Sequence, residues 1–271
     1  MSRVHRAFKL AAVSWRVIFA EPAILAVLAV GLVGMVVLSG GLFLLLFQRF
    51  PTAGDFQFPN YLVALPVLWL GSIVTTYCNV VVSVMADRRL RGDDPTVAEG
   101  MSVATAKLDR ILSWTMVSIA VGLLLQVIAE RFRLAGAIAA RLLGLGWNLA
   151  TMFVIPVIAL EDRPVKDSIR RSASIFKSKW GESVVARGTI GLAVMFAAVP
   201  AMFIVLLNAA ISVPLAVASG IVLFGGLALI SGALDTVVDV ALYRYAVDGT
   251  VLGAFTAEDL DGTFQPKRRE F

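Results

Sequence analysis

Six apolar runs, each close to the length of a membrane-crossing helix, leave this chain almost no residues from which to build a water-soluble core. A helix rises ~1.5 Å per residue, so about 20 apolar residues span a hydrocarbon layer of roughly 30 Å. Runs of that kind occupy residues 24–47, 61–84, 111–128, 136–160, 188–211 and 215–242. Apolar side chains make up 59% of the 271 residues and charged ones 16%, well below the roughly 25% of soluble chains, which makes lipid the main solvent. The expected fold is all-α: a polytopic helical membrane bundle of about six spans, forming one membrane domain over residues 1–271.

Charge fixes the orientation. With six spans and a cytoplasmic N-terminus, the inner segments hold 20 of the 24 Lys and Arg residues; only Arg49, Arg131, Arg133 and Arg141 fall at or near the outer ends. The positive-inside rule therefore predicts a multi-pass protein of the cell membrane with both termini cytoplasmic. The segment QRFPTAGDFQFPNY between the first two runs reads as an exposed connection, and SVP between the last two implies a tight hairpin. ERFRL allows only a very short turn between the third and fourth runs, so a re-entrant pair competes with two full crossings there. The first 20 residues lack the ordered regions of a cleavable signal, which puts the expected mature start near Met1. The tail 257–271, ending in PKRREF, is expected to be mobile and basic.

Two segments outside the spans are amphipathic. In residues 1–20, Val4, Phe8, Ala11, Trp15 and Ile18 share one helical face, with Arg6, Lys9 and Arg16 opposite and Arg3 on the flank. In residues 165–186, Ile169, Ala173, Phe176 and Trp180 repeat the offsets of Val4, Phe8, Ala11 and Trp15, accompanied by Arg170, Arg171, Lys177 and Lys179. Both read as interfacial helices on the inner leaflet, where anionic lipid attracts each nearby cation by about 1 kcal/mol. Each precedes a helical hairpin, and the hairpins end alike, in YCNVVVSVMADRRLRGD and LDTVVDVALYRYAVDG. That layout suggests two parallel repeat units with the third and fourth spans inserted between them; chance likeness of apolar helices is the alternative.

Polar residues inside spans mark pairs or pathways. Asp235 and Asp239 share a face but lie at the inner boundary of the last span, which favours a solvated or Arg-paired structural role over a transport site. Arg141 is close enough to an end to snorkel or to pair with Glu130. Asn148 is near the midplane; an interhelical hydrogen bond is its expected role, with substrate contact the minority reading. Gly136, Ala140 and Gly144 precede it as a small-residue stripe that lets another helix approach, and Pro156 and Pro200 are expected to bend their helices.

The single histidine, His5, rules out triads, HExxH and His-rich metal sites. Cys78 stands alone in an apolar run and reads as a packed side chain. No nucleotide-binding fingerprint occurs, and the inner-face cations explain the basic balance without nucleic acid. No catalytic residue, metal or cofactor is expected. Residues 147–182, WNLATMFVIPVIALEDRPVKDSIRRSASIFKSKWGE, and 241–249, ALYRYAVDG, resemble a group of uncharacterised prokaryotic multi-span proteins that includes the membrane domain fused to some glycerophosphodiester phosphodiesterases. The resemblance implies a helical module that accompanies other machinery in lipid or envelope biology; it carries no catalytic residues to this chain. The leading expectation is a non-enzymatic scaffold or accessory subunit that holds lipid or a protein partner through its basic helices. A small transporter or lipid-handling protein with a cavity between repeat units is the alternative.

Overall fold

A computed structural model describes residues 21–49 and 58–249. Every element among them is helical: α1 (Pro22–Arg49), α2 (Phe58–Arg91), α3 (Val97–Ala106), α4 (Leu108–Arg131), α5 (Arg133–Thr151), α6 (Val154–Leu160), α7 (Val165–Ile211) and α8 (Val213–Asp248). Six segments are long and apolar enough to cross a membrane: Pro22–Leu46, Ala64–Arg91, Leu108–Arg131, Ala135–Leu160, Ala193–Ile211 and Val213–Asp248. Large apolar side chains on α1, α4, α5 and α7 stay exposed, Val30, Leu124, Leu142 and Phe196 among them, as lipid-facing surface requires. The protein is a multi-pass, all-helical membrane chain. The third and fourth runs, at 24 and 26 residues, have the length for full crossings. The amphipathic segment 1–20 with Arg3, Arg6, Lys9 and Arg16, and the tail 257–271, lie outside the described residues.

The chain divides into two compact units. One comprises residues 27–84 and 96–174. Within it, α1 and α2 meet where Gly31 leaves room for the Cys78 sulfur and Gly71 for Ser39 and Met35. Cys78 is thus the packed side chain expected. The short α3 is started by Thr96, whose Oγ1 accepts from the Glu99 backbone while the Glu99 carboxylate accepts from the Thr96 N–H, a capping box. It lies against α2: an added Cβ on Gly100 would stand 2.8 Å from Val81 Cγ1 and 3.0 Å from the Val81 carbonyl. Tyr77 Oη also donates to the Met101 carbonyl at 3.2 Å.

α4 and α5 form a hairpin with a single residue, Phe132, between them. This turn works because Gly136 has no side chain: a Cβ there would collide with the Ile128 carbonyl. Gly144 faces Leu125 further along, so the small-residue stripe makes the predicted close helix contact. Trp114 and Trp147 stack across the hairpin with centroids 6.1 Å apart. Pro156 does more than bend its helix. Its ring has no N–H for the Met152 carbonyl, and the span breaks at Met152–Phe153 into α5 and α6.

The other unit holds 85–95, 175–249 and the described residues 21–26. Its α7–α8 hairpin also turns on one residue: Ser212 is extended, its Oγ accepts from Leu215 N at 3.3 Å, and Pro214 fits the first turn of α8. The connection is tighter than the expected SVP. Gly249 ends α8 in the left-handed conformation at φ 66°.

The segment 165–186, expected as an interfacial helix of its own, is continuous with the span that follows: α7 runs from Val165 to Ile211. Gly181 and Gly188 are the helix-weakening residues near the expected break, and each internal glycine costs only about 1 kcal/mol.

Candidate functional site

The densest polar chemistry surrounds the α5–α6 break. A break inside a span frees backbone groups that lipid cannot satisfy. Ser172, on α7 and fully buried, serves two of these groups: its Oγ donates to the Ala150 carbonyl at 2.7 Å and accepts from Phe153 N at 3.1 Å. Met152 to Ala159 are almost entirely buried around it.

The far end of α6 is closed by a cation. Lys107 Nζ donates to the carbonyls of Ile158 at 2.8 Å, Ala159 at 3.1 Å and Glu161 at 3.0 Å, groups that the end of a helix leaves without partners. Burial pushes the Lys107 pKa below the ordinary lysine range, neighbouring Arg110 pushes it further down, and Asp162 opposes them. Arg110 pairs with Asp162, and its hydrogen bond and charge hold that carboxyl below the usual aspartate range. Glu161 is shared by Arg163 and by Arg171, the latter at 3.2 Å. This network ties the start of α4 to the α6–α7 connection.

The first turns of α7 have two chemically distinct faces. Ser168 and Ser172 are buried. Lys166 and Arg170 are exposed on the opposite side; the Arg170 side chain is 70% accessible, with a loose 3.8 Å approach to Asp167. Of the expected contact residues, Arg171 is turned inward to Glu161, Lys177 is exposed, and the Lys179 side chain lies outside the described residues. Ile169, Ala173 and Phe176 are half-buried on the flank rather than forming the buried face.

In the other unit, Arg244 on α8 holds Asp87 on α2 with two hydrogen bonds, Nε to Oδ1 at 2.6 Å and Nη2 to Oδ2 at 2.9 Å. Asp248 and Arg91 extend the pair to four charges, at 3.0 Å and 3.2 Å. Asp239 is buried and Asp235 half-buried, and each has an interaction of its own. Asn148 is exposed on α5 and has no side-chain hydrogen bond among the described residues. Arg141 is exposed too, while Glu130 accepts from Gln126 Nε2 at 2.9 Å instead of from Arg141.

An apolar groove of about 460 Å³ opens between α2 and α4, lined by Leu65, Pro66, Trp69, Met116, Ile119, Ala120 and Leu123. Its one polar wall residue is occupied, because Trp69 Nε1 donates to Thr115 Oγ1 at 3.1 Å. Among the described residues no cluster of three His, Cys, Asp or Glu side chains could hold a metal.

Sequence reasoning passed over Ser172, Lys107, Asp87 and Arg244. Pro156 held a signal for the first: a proline well inside a span implies freed backbone groups, and a small hydroxyl elsewhere to receive them.

A family model described as "Family of unknown function (DUF6159)" matches residues 60–253. No curated protein and no solved structure matches the chain.

Proposed function

The chain belongs to the DUF6159 family, and from that premise we propose that it is a non-enzymatic membrane scaffold or accessory subunit that holds anionic lipid headgroups at the inner leaflet. The observation that carries this reading is the start of α7, where Lys166 and Arg170 are exposed directly opposite the buried Ser168 and Ser172. A helix so fixed on one side presents its cations at little entropic cost to itself. Other charged groups nearby are engaged with one another, as Arg110 is with Asp162 and Arg171 with Glu161, or with backbone carbonyls, as Lys107 is. The distribution of Lys and Arg supports placing both termini in the cytoplasm and the chain in the cell membrane. A role beside lipid or envelope machinery, with a protein partner, completes the proposal.

The test is lipid retention. Wild type and the Lys166→Gln/Arg170→Gln variant would be extracted from mixed anionic and zwitterionic bilayers, and bound lipids counted by native mass spectrometry. At about 1 kcal/mol per cation the variant should hold anionic lipid roughly 30-fold more weakly. Equal retention would sink the reading. Arg171→Gln, which removes a cation already committed to Glu161, should change retention far less.

The groove between α2 and α4 favours lipid handling as the second reading, since its wall, apolar but for the occupied Trp69 N–H, fits an acyl chain. Reconstituted vesicles that show no protein-dependent lipid movement would remove it.

A further inference from the structure

We propose that the exposed face of α5 is a self-association surface, through which two copies of this chain pair at Asn148. Asn148 is midway along the 26-residue span Ala135–Leu160, and its carboxamide is exposed. Arg141, two turns earlier on the same side of the helix, is exposed as well. Ile138 (62%), Leu142 (64%) and Leu145 (59%) surround them and carry no polar group. Hydrocarbon offers nothing to a carboxamide, and a polar group left unpaired there costs several kcal/mol. A face of this kind is stable in a bilayer when another polar surface covers it.

The chemistry selects a second copy as that surface. A two-fold axis along the membrane normal places identical residues at identical depths, so Asn148 meets Asn148. Each carboxamide carries both a donor and an acceptor, and the two can therefore satisfy each other reciprocally. Arg141 does not oppose this arrangement. It is near the α4–α5 turn, where a long side chain reaches the headgroup boundary. Glu130 at the end of α4 is exposed, and its Oε2 is available to the second copy's Arg141 once Gln126 has engaged Oε1. The face is thus self-complementary in hydrogen bonding and in charge.

The experiment uses the full chain in bilayers. In a Cys78→Ser background, Leu145→Cys places a thiol on the proposed face; mild oxidation should give a symmetric disulfide that disappears when Asn148→Leu is added. Energy transfer between labelled copies, followed as lipid dilutes the protein, gives the dimer dissociation constant. Asn148→Leu should raise it roughly 3- to 30-fold, the range of an interhelical hydrogen bond, and Asn148→Gln, which keeps the carboxamide, should restore most of it. Because the position is exposed, unchanged tryptophan fluorescence and melting in Asn148→Leu would separate this effect from misfolding. A chain that stays monomeric at every density, a dimer indifferent to Asn148→Leu, or a dimer in which the Leu145→Cys thiols stay reduced would each overturn the proposal.

Discussion

Replacing Ser172 by Ala should destabilise the protein far more than the same change at Ser168, although both serines are fully buried and sit one turn apart on the same face of α7. The difference is in what each hydroxyl serves. Ser172 Oγ is the partner of the Ala150 carbonyl and of Phe153 N, two groups released by the break before Pro156. Ser168 Oγ donates at 3.1 Å to the Pro164 carbonyl, which already accepts from Ser168 N at 2.9 Å. Leaving a buried backbone group unpaired costs about 1–3 kcal/mol. Two such groups put Ser172→Ala near 3 to 4 kcal/mol, against about 0 to 1 kcal/mol for Ser168→Ala. The gap, about 3 kcal/mol, is a factor of roughly 150 in the unfolding constant. Reversible unfolding in mixed micelles can measure it, with the stacked Trp114–Trp147 pair as an intrinsic reporter. The Pro156→Ala background sharpens the test. There an N–H is restored for the Met152 carbonyl, the helix can close through the break, and Ser172→Ala should then cost less by at least about 1 kcal/mol. Equal costs for the two serines, or strict additivity with Pro156→Ala, would refute the assignment of Ser172 as the clamp of the break.

Gly100→Ala should cost about 2 kcal/mol, because the new methyl meets the Val81 carbonyl at 3.0 Å and backbone cannot rotate away as a side chain can; chemical unfolding of the variant checks this. Asp87→Asn should cost about 2 kcal/mol, below the usual 3–5 for breaking a buried pair, because Asp248 still holds Arg244. Further loss in the Asp87→Asn/Asp248→Asn double variant is the check. For Asp162 the folded pKa is depressed by Arg110, so its contribution is complete above the ordinary aspartate pKa of ~3.9 and is lost as pH falls through the lowered value. Unfolding followed from neutral to acid pH should show that loss in wild type, and Asp162→Asn should flatten that part of the curve.

How far the sequence spoke depended on the range of the interaction. Span positions were legible because lipid selects on length and apolarity alone; the expected 24–47 and 111–128 correspond to Pro22–Leu46 and Leu108–Arg131. The Gly136–Gly144 stripe was legible for a similar reason, since its partner is the adjacent helix of a hairpin. Interactions between distant segments were not. Asp87 and Arg244 both lie in stretches whose charged ends attracted notice as a repeat, yet nothing in either stretch says that they bind each other across 157 residues. Lys107 looked like one more inner-face cation, and only the fold sets it over the end of α6. Asn148 illustrates the converse limit: its place midway along an apolar run was readable, but its exposure on α5 was not.

The start of α7 joins these threads physically. Its buried side is held at three kinds of contact, the Ser172 clamp on the α5–α6 break, the Ser168 bond to Pro164, and the Arg171 pair with Glu161. Those contacts fix the rotation of the helix, and rotation decides where Lys166 and Arg170 point, because residues on opposite faces of a helix turn together. A 100° change in rotation, one residue's worth, would carry a cation from the open face toward the flank where Ile169 and Phe176 now sit. Polar groups that look purely structural around the break are therefore what set the direction of the exposed charge, and a headgroup held by Lys166 and Arg170 would in turn favour the helix rotation in which Ser172 closes the break.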